Sequence, residues 1–247
     1  VYAATFNRAL QPEDIDAHAP HGLGIVRSSD GGKNWAVVTD PQIARRGFRA
    51  IAVSPEDPAT VYAGGRTNGV GVFKTVDGGG TWTSRNEGLP EPLGSIRTLA
   101  VDPADASHIL LGSTQGLFAS TDAADTWGQV ATGIESGSLV NAVLFDPANP
   151  GIVYVGTSAG VVYSTDGGQA FLPLEQGLAG KTLLTSSLAL SADGSVLYAA
   201  SIGAYRLGTP SAPPALIAGR LSCGPSPFVN GTTIRYRLSR GAPVERR

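Results

Sequence analysis

Apolar residues along this chain come in short runs broken by Gly, Pro, Asp and Ser, a pattern that predicts short strands joined by tight turns. One run ends in a turn and appears as Ile51-Ala-Val-Ser-Pro55, Leu99-Ala-Val-Asp-Pro103 and Val143-Leu-Phe-Asp-Pro147, with a degenerate copy at Leu188-Ala-Leu-Ser-Ala-Asp-Gly194. A second run follows each of them: Val61-Tyr-Ala-Gly64, Ile109-Leu-Leu-Gly112, Val153-Tyr-Val-Gly156 and Leu197-Tyr-Ala-Ala200. Val1-Tyr-Ala-Ala4 matches the second run, so the first copy lacks its opening strand.

An octapeptide keeps the same period. It reads Ser28-Ser-Asp-Gly-Gly-Lys-Asn-Trp35, Thr75-Val-Asp-Gly-Gly-Gly-Thr-Trp82, Ser120-Thr-Asp-Ala-Ala-Asp-Thr-Trp127 and Ser164-Thr-Asp-Gly-Gly-Gln-Ala-Phe171. Asp30, Asp77, Asp122 and Asp166 lie 47, 45 and 44 residues apart, and all three tryptophans close a copy. Each unit therefore holds four strands. A is the Leu-Ala-Val run, B the Val-Tyr-Ala-Gly run and C the strand of residues 71 to 75. The octapeptide turns C into D, which begins at the Trp. Four antiparallel strands per repeat of this length predict an all-β fold of β-propeller blades. Blades fall at 1–38, 49–85, 96–131, 140–175 and 185–207, as part of an incomplete ring of six to eight. Strand A, nearest the axis, is expected to be the strand packed on both faces.

Composition fits this picture. The chain has 247 residues, 33 Gly, 17 Pro and 15% charged residues, unlike a helical bundle or a disordered segment. No apolar stretch approaches the length of a membrane-spanning helix. The net charge of −2 gives no reason to expect nucleic acid. It hides an uneven split: residues 220–247 carry six Arg against Glu245, or +5, which leaves −7 for the remainder. Cys223 is the single cysteine, so no internal disulfide forms.

The octapeptide resembles the Asp-box of BNR repeats, Ser-x-Asp-x-Gly-x-Thr-Trp. Its residues (Ser28, Asp30, Gly32, Trp35; Thr75, Asp77, Gly79, Trp82; Ser120, Asp122, Trp127; Ser164, Asp166, Gly168, Phe171) read as structural. The Asp accepts bonds from its own turn, Gly supplies positive φ, and the aromatic ring plants itself between blades. The third copy, without its Gly, and the fourth, with Phe for Trp, are expected to form looser turns. Overall the repeats are similar to non-catalytic BNR-type propellers, the sortilin-like receptor domains and the photosystem II assembly factor. That resemblance implies an interaction platform.

The A–B and C–D turns share one face of such a ring and look uniform, so a site belongs on the opposite, B–C and D–A face. There the first B–C loop swells to residues 6–23 and carries Glu13, Asp14, Asp16, His18 and His21, with Arg45 and Arg46 nearby. These seven are the candidate ligand-binding residues. Their spacing matches no recognised metal site, and no catalytic residue, metal or cofactor is called for.

The reading that follows is a non-catalytic, monomeric binding propeller that recognises protein or glycan. It belongs to a secreted or surface-associated bacterial protein, outside the cytoplasm. The alternative is a glycoside hydrolase. The repeats also resemble xyloglucanase-type enzymes, double propellers rich in Asp-boxes, which need two carboxylates across a cleft; Asp14, Asp16, Asp40 and Glu91 lie on the right face. Sialidases share the box and use three arginines, but Phe48-Arg49-Ala50-Ile51 is a faint echo of their Phe-Arg-Ile-Pro motif and lacks its Pro.

Residues 208–219 read as a Pro-rich linker. From residue 220, Pro227-Phe228, Thr232-Thr233-Ile234, Tyr236 and Leu238 resemble the opening of an FlgD-like immunoglobulin-type module, which implies secretion or surface attachment. The propeller is expected to lack its start and this module its end.

Overall fold

The structure, a computed structural model, describes residues 2–4, 24–44, 46–135, 137–149, 151–174, 184–191, 194–201 and 204–208. The regular elements among them are strands. The first sheet is β1 (Tyr2–Ala4), β2 (Ile25–Arg27) and β3 (Ala36–Val37); the second is β4 (Phe48–Val53), β5 (Val61–Gly65), β6 (Val72–Thr75) and β7 (Thr83–Ser84). The third is β8 (Ile96–Val101), β9 (Ile109–Ser113), β10 (Gly116–Ser120) and β11 (Gly128–Val130); the fourth is β12 (Val140–Phe145), β13 (Val153–Thr157), β14 (Gly160–Ser164) and β15 (Leu172–Pro173). The last is β16 (Ser187–Leu190), β17 (Val196–Ala200) and β18 (Ala204–Gly208). Each sheet is an antiparallel meander in chain order, the arrangement of propeller blades. The linker and module expected from 208 onward lie outside the described residues except for Gly208, which ends β18.

The core is a series of blade junctions. Trp82 packs with Ile25 and Val38 of the preceding blade, Trp127 with Tyr62 and Leu89, Phe171 with Leu110 and Leu117, and Leu197 with Tyr154. Burying one such side chain stabilises by about 1.5–3 kcal/mol, so the rings hold blade to blade. Trp35 is 42% exposed, with no blade before it among the described residues.

Two expectations about strands are corrected. Every residue of β5, β9 and β13 is buried, whereas β4, β8 and β12 alternate between buried and partly open positions. The fully packed strand is B, because it has a strand on either side and a blade over each face; A is the inner edge and borders the axis. Strand D begins after the aromatic residue, as at Thr83 and Gly128, because the ring is turned into the junction.

The Gly that ends the B run has a packing reason. A Cβ on Gly64, Gly112 or Gly156 would overlap Ile96, Val140 or Thr185, the residue that opens the next blade. Successive inner strands can thereby approach one another closely.

Candidate functional site

The four octapeptide turns are built alike. In the first, the Ser28 hydroxyl donates to Asp30 Oδ1 at 2.8 Å, Gly32 N–H donates to Ser28 Oγ at 2.8 Å, and Asn34 N–H donates to Asp30 Oδ1 at 2.9 Å. Thr75 and Asp77 repeat this with Gly79 and Thr81, and Ser164 and Asp166 with Gly168 and Ala170. The Asn34 backbone N–H, then its side chain, holds Asp30 down to about 2; the Thr126 hydroxyl, then its N–H, does the same for Asp122. A carboxylate committed in this way locks a turn and has no chemistry to spare.

The third and fourth copies are not looser. Ala123 and Ala124 adopt φ of 58° and 71°, and the bonds persist: Ala124 N–H to Ser120 Oγ and Thr126 N–H to Asp122 Oδ1, both 2.9 Å. The bonds hold alanine in a region that costs it about 1–2 kcal/mol per residue. Phe171 is 2% exposed and seated as the tryptophans of the second and third blades are.

A latch joins each of these aromatics to the preceding blade. Trp127 N–H donates to the carbonyl of Glu87 at 2.9 Å, and Phe171 N–H to that of Thr132 at 3.1 Å. Gly88 and Gly133 follow these acceptors at positive φ, where a Cβ would overlap the carbonyls of Trp127 and Phe171. At the first junction a side chain substitutes: Trp82 N–H donates to Asp40 Oδ2 at 3.2 Å, while Asp40 Oδ1 accepts from Gln42 N–H at 2.7 Å. Asp40 is thus a structural clasp. Glu91 is exposed in the loop before β8.

Of the seven ligand-binding candidates, Glu13, Asp14, Asp16, His18, His21 and Arg45 lie outside the described residues. Arg46 is exposed and holds its guanidinium 5.4 Å from the centroid of the Phe73 ring. Among the described residues no three His, Cys, Asp or Glu side chains gather to hold a metal.

Two features flank the axis. At the start of strand A each of β4, β8 and β12 carries a bulge, and the residues thrown out are Arg49, Arg97 and Asn141. Arg97 Nη1 donates to Asn141 Oδ1 at 2.9 Å, and Asn141 Nδ2 donates to the Thr185 carbonyl at 2.9 Å. Burial, then the charge of Arg49, disfavours the ionised form of Arg97. The sequence reading missed Arg97 and Asn141; the available signal was a polar residue in second place at the head of strand A, recurring with the repeat. At the other end of the same strands Val101, Pro103, Phe145, Pro147 and Leu190 line an apolar cavity of about 370 Å³.

No protein-family model matches the chain. A xyloglucanase of Hypocrea jecorina (strain QM6a) is 29% identical over 146 residues, 50% of this chain and 17% of that protein. An ancestral GH74 enzyme superposes with a TM-score of 0.62 at 23% identity, covering 76% of this chain and 27% of that one. The GH74 xyloglucanase from Xanthomonas campestris superposes at 0.58 and 21% identity, covering 81% and 36%. The chain thus spans well under half the length of each. The structural likenesses show the fold, a β-propeller, and the sequence match adds relatedness to a glycoside hydrolase. These findings correct the expectation of a non-catalytic interaction propeller: the hydrolase alternative has the better support. The turn motif could not separate the two, because its residues serve the hairpin in either case.

Proposed function

We propose that this chain is part of the propeller of a glycoside hydrolase acting on xyloglucan or a related β-glucan, outside the cytoplasm. The observation that carries this reading is the 29% identity over 146 residues to a xyloglucanase. In the same reading the octapeptides are Asp-boxes of BNR repeats, residues 208–219 a linker, and residues 220–247 the start of an FlgD-like module.

Hydrolysis of a glycosidic bond takes one carboxyl to protonate the leaving oxygen and a second on the opposite side of the sugar. The octapeptide aspartates and Asp40 are excluded from those roles by their bonds. Of the carboxylates expected on the B–C and D–A face, Asp14, Asp16 and Glu91 remain this chain's candidates for one partner. The other is assigned to the rest of the enzyme, since the chain spans 17% of the xyloglucanase's length.

The test, made on the full-length protein of which this chain is proposed to be part, is release of reducing ends from xyloglucan and from unbranched β-glucans. Release from xyloglucan, weakened by Asp14→Asn or Asp16→Asn, supports the proposal. No release from any β-glucan rejects it.

A further inference from the structure

We infer that the axial mouth on the D–A side binds an oxyanion, carboxylate or sulfate, either free or carried on a sugar, through Arg49 and Arg97. Asn141 is the positioning residue that orients Arg97.

The argument starts from the backbone. A bulge breaks the ladder and re-aims one side chain, and here the same register break recurs in three consecutive inner strands. The neighbours Phe48, Ala50, Ile96, Val140 and Ala142 are all buried, so the bulge keeps the apolar pattern in the junctions while freeing one residue per blade. Those freed residues are Arg, Arg and Asn. The inner strands contact one another in series, which sets the three residues at the same place on neighbouring strands, and Arg97 meets Asn141 directly.

Among the described residues no ion pair offsets the charges there. The ion pairs among the described residues join Arg85 to Asp125 and His108 to Asp102, and involve neither arginine. Arg49 is exposed; Arg97 is half-buried and its buried Nε has no hydrogen-bond partner. Among the described residues the charge that bears on Arg97 is another cation, Arg49. Among the described residues, these two guanidiniums feel each other's charge and have no carboxylate partner, which leaves a place for a bound counter-charge. Their planar donor forks suit a carboxylate or sulfate. Asn141, fixed by the Thr185 carbonyl, holds Arg97 through Nη1 and leaves its other terminal nitrogen for the ligand.

This site stands on the bulge geometry and not on the hydrolase reading, and its test reads binding rather than turnover. Glucuronate, sulfate and glucose are titrated by calorimetry into the wild-type protein and into the Arg49→Gln and Arg97→Gln variants. Glucuronate and sulfate bind, glucose does not, and each substitution weakens anion affinity by about tenfold or more. Tighter binding of glucuronate than sulfate assigns a role to the sugar; equal binding assigns recognition to the oxyanion alone. Arg49 is exposed, so Arg49→Gln keeps the test valid if Arg97→Gln does not fold. Anion affinity unchanged in Arg49→Gln, or no anion binding by wild type, overturns the inference.

Discussion

The indole N–H of Trp127 donates to the carbonyl of Arg85 at 2.9 Å, tying the third blade to the outer edge of the second. Trp82, its counterpart one repeat earlier, is as deeply buried, but its Nε1 has no partner. Phenylalanine removes an N–H from both sites and a hydrogen bond only from the first. Trp127→Phe is therefore expected to cost about 1 kcal/mol more than Trp82→Phe in urea unfolding. Equal midpoints would show that the indole bond adds nothing to the junction.

The latch glycines carry a sharper expectation. Gly133 has φ of 80° and no room for a Cβ beneath the Phe171 carbonyl; Gly137 has the same φ and nothing within 4 Å. Both substitutions to alanine incur the backbone strain, and only Gly133→Ala adds the overlap. Gly133→Ala should destabilise by about 2 kcal/mol more than Gly137→Ala. A matched pair of melting curves checks it.

At the third turn the prediction has the opposite sign. Ala123 is only partly buried and sits at φ 58°, so Ala123→Gly relieves strain and is expected to stabilise by about 1 kcal/mol. Ala124→Gly gains less, because its methyl is fully buried in the junction with Trp127. Calorimetric melting of the two variants should rank them in that order.

Acid should loosen the blades through their turns. Asp30 and Asp122 fall from an ordinary 3.8 to about 2, and Asp77 and Asp166 are lowered too. A folded pKa below the unfolded one gives stability that is complete above the unfolded value and lost as pH falls through the folded one. The melting temperature should therefore drop between about pH 4 and 2, and less steeply in Asp122→Asn, which does not titrate. An identical slope in that variant would remove Asp122 as a contributor.

Much of the fold was legible in the sequence because turn chemistry is local. Asp30, Asp77, Asp122 and Asp166 mark each hairpin with residues that bond within the hairpin, so their spacing carries the blade period directly. What depends on other blades was not legible. Ala123 and Ala124 looked like a loosened turn because the bonds that hold their φ are invisible in composition. Arg97 and Asn141 drew no reading from the sequence, since a bulge is a register relation between two strands. Asp40 looked like a free carboxylate; its partner, Trp82, is 42 residues away. Function was least legible, because the repeated residues are spent on the scaffold.

The measurement that bears most directly on the central claim is the chain length of xyloglucan after incubation with the full-length protein that carries this chain, read by size-exclusion chromatography. A glycoside hydrolase shortens the polymer to oligosaccharides. Polymer that keeps its full length, while its presence in the gel slows the protein in affinity electrophoresis, would instead mark a propeller that binds the glycan without cleaving it and would contradict the account.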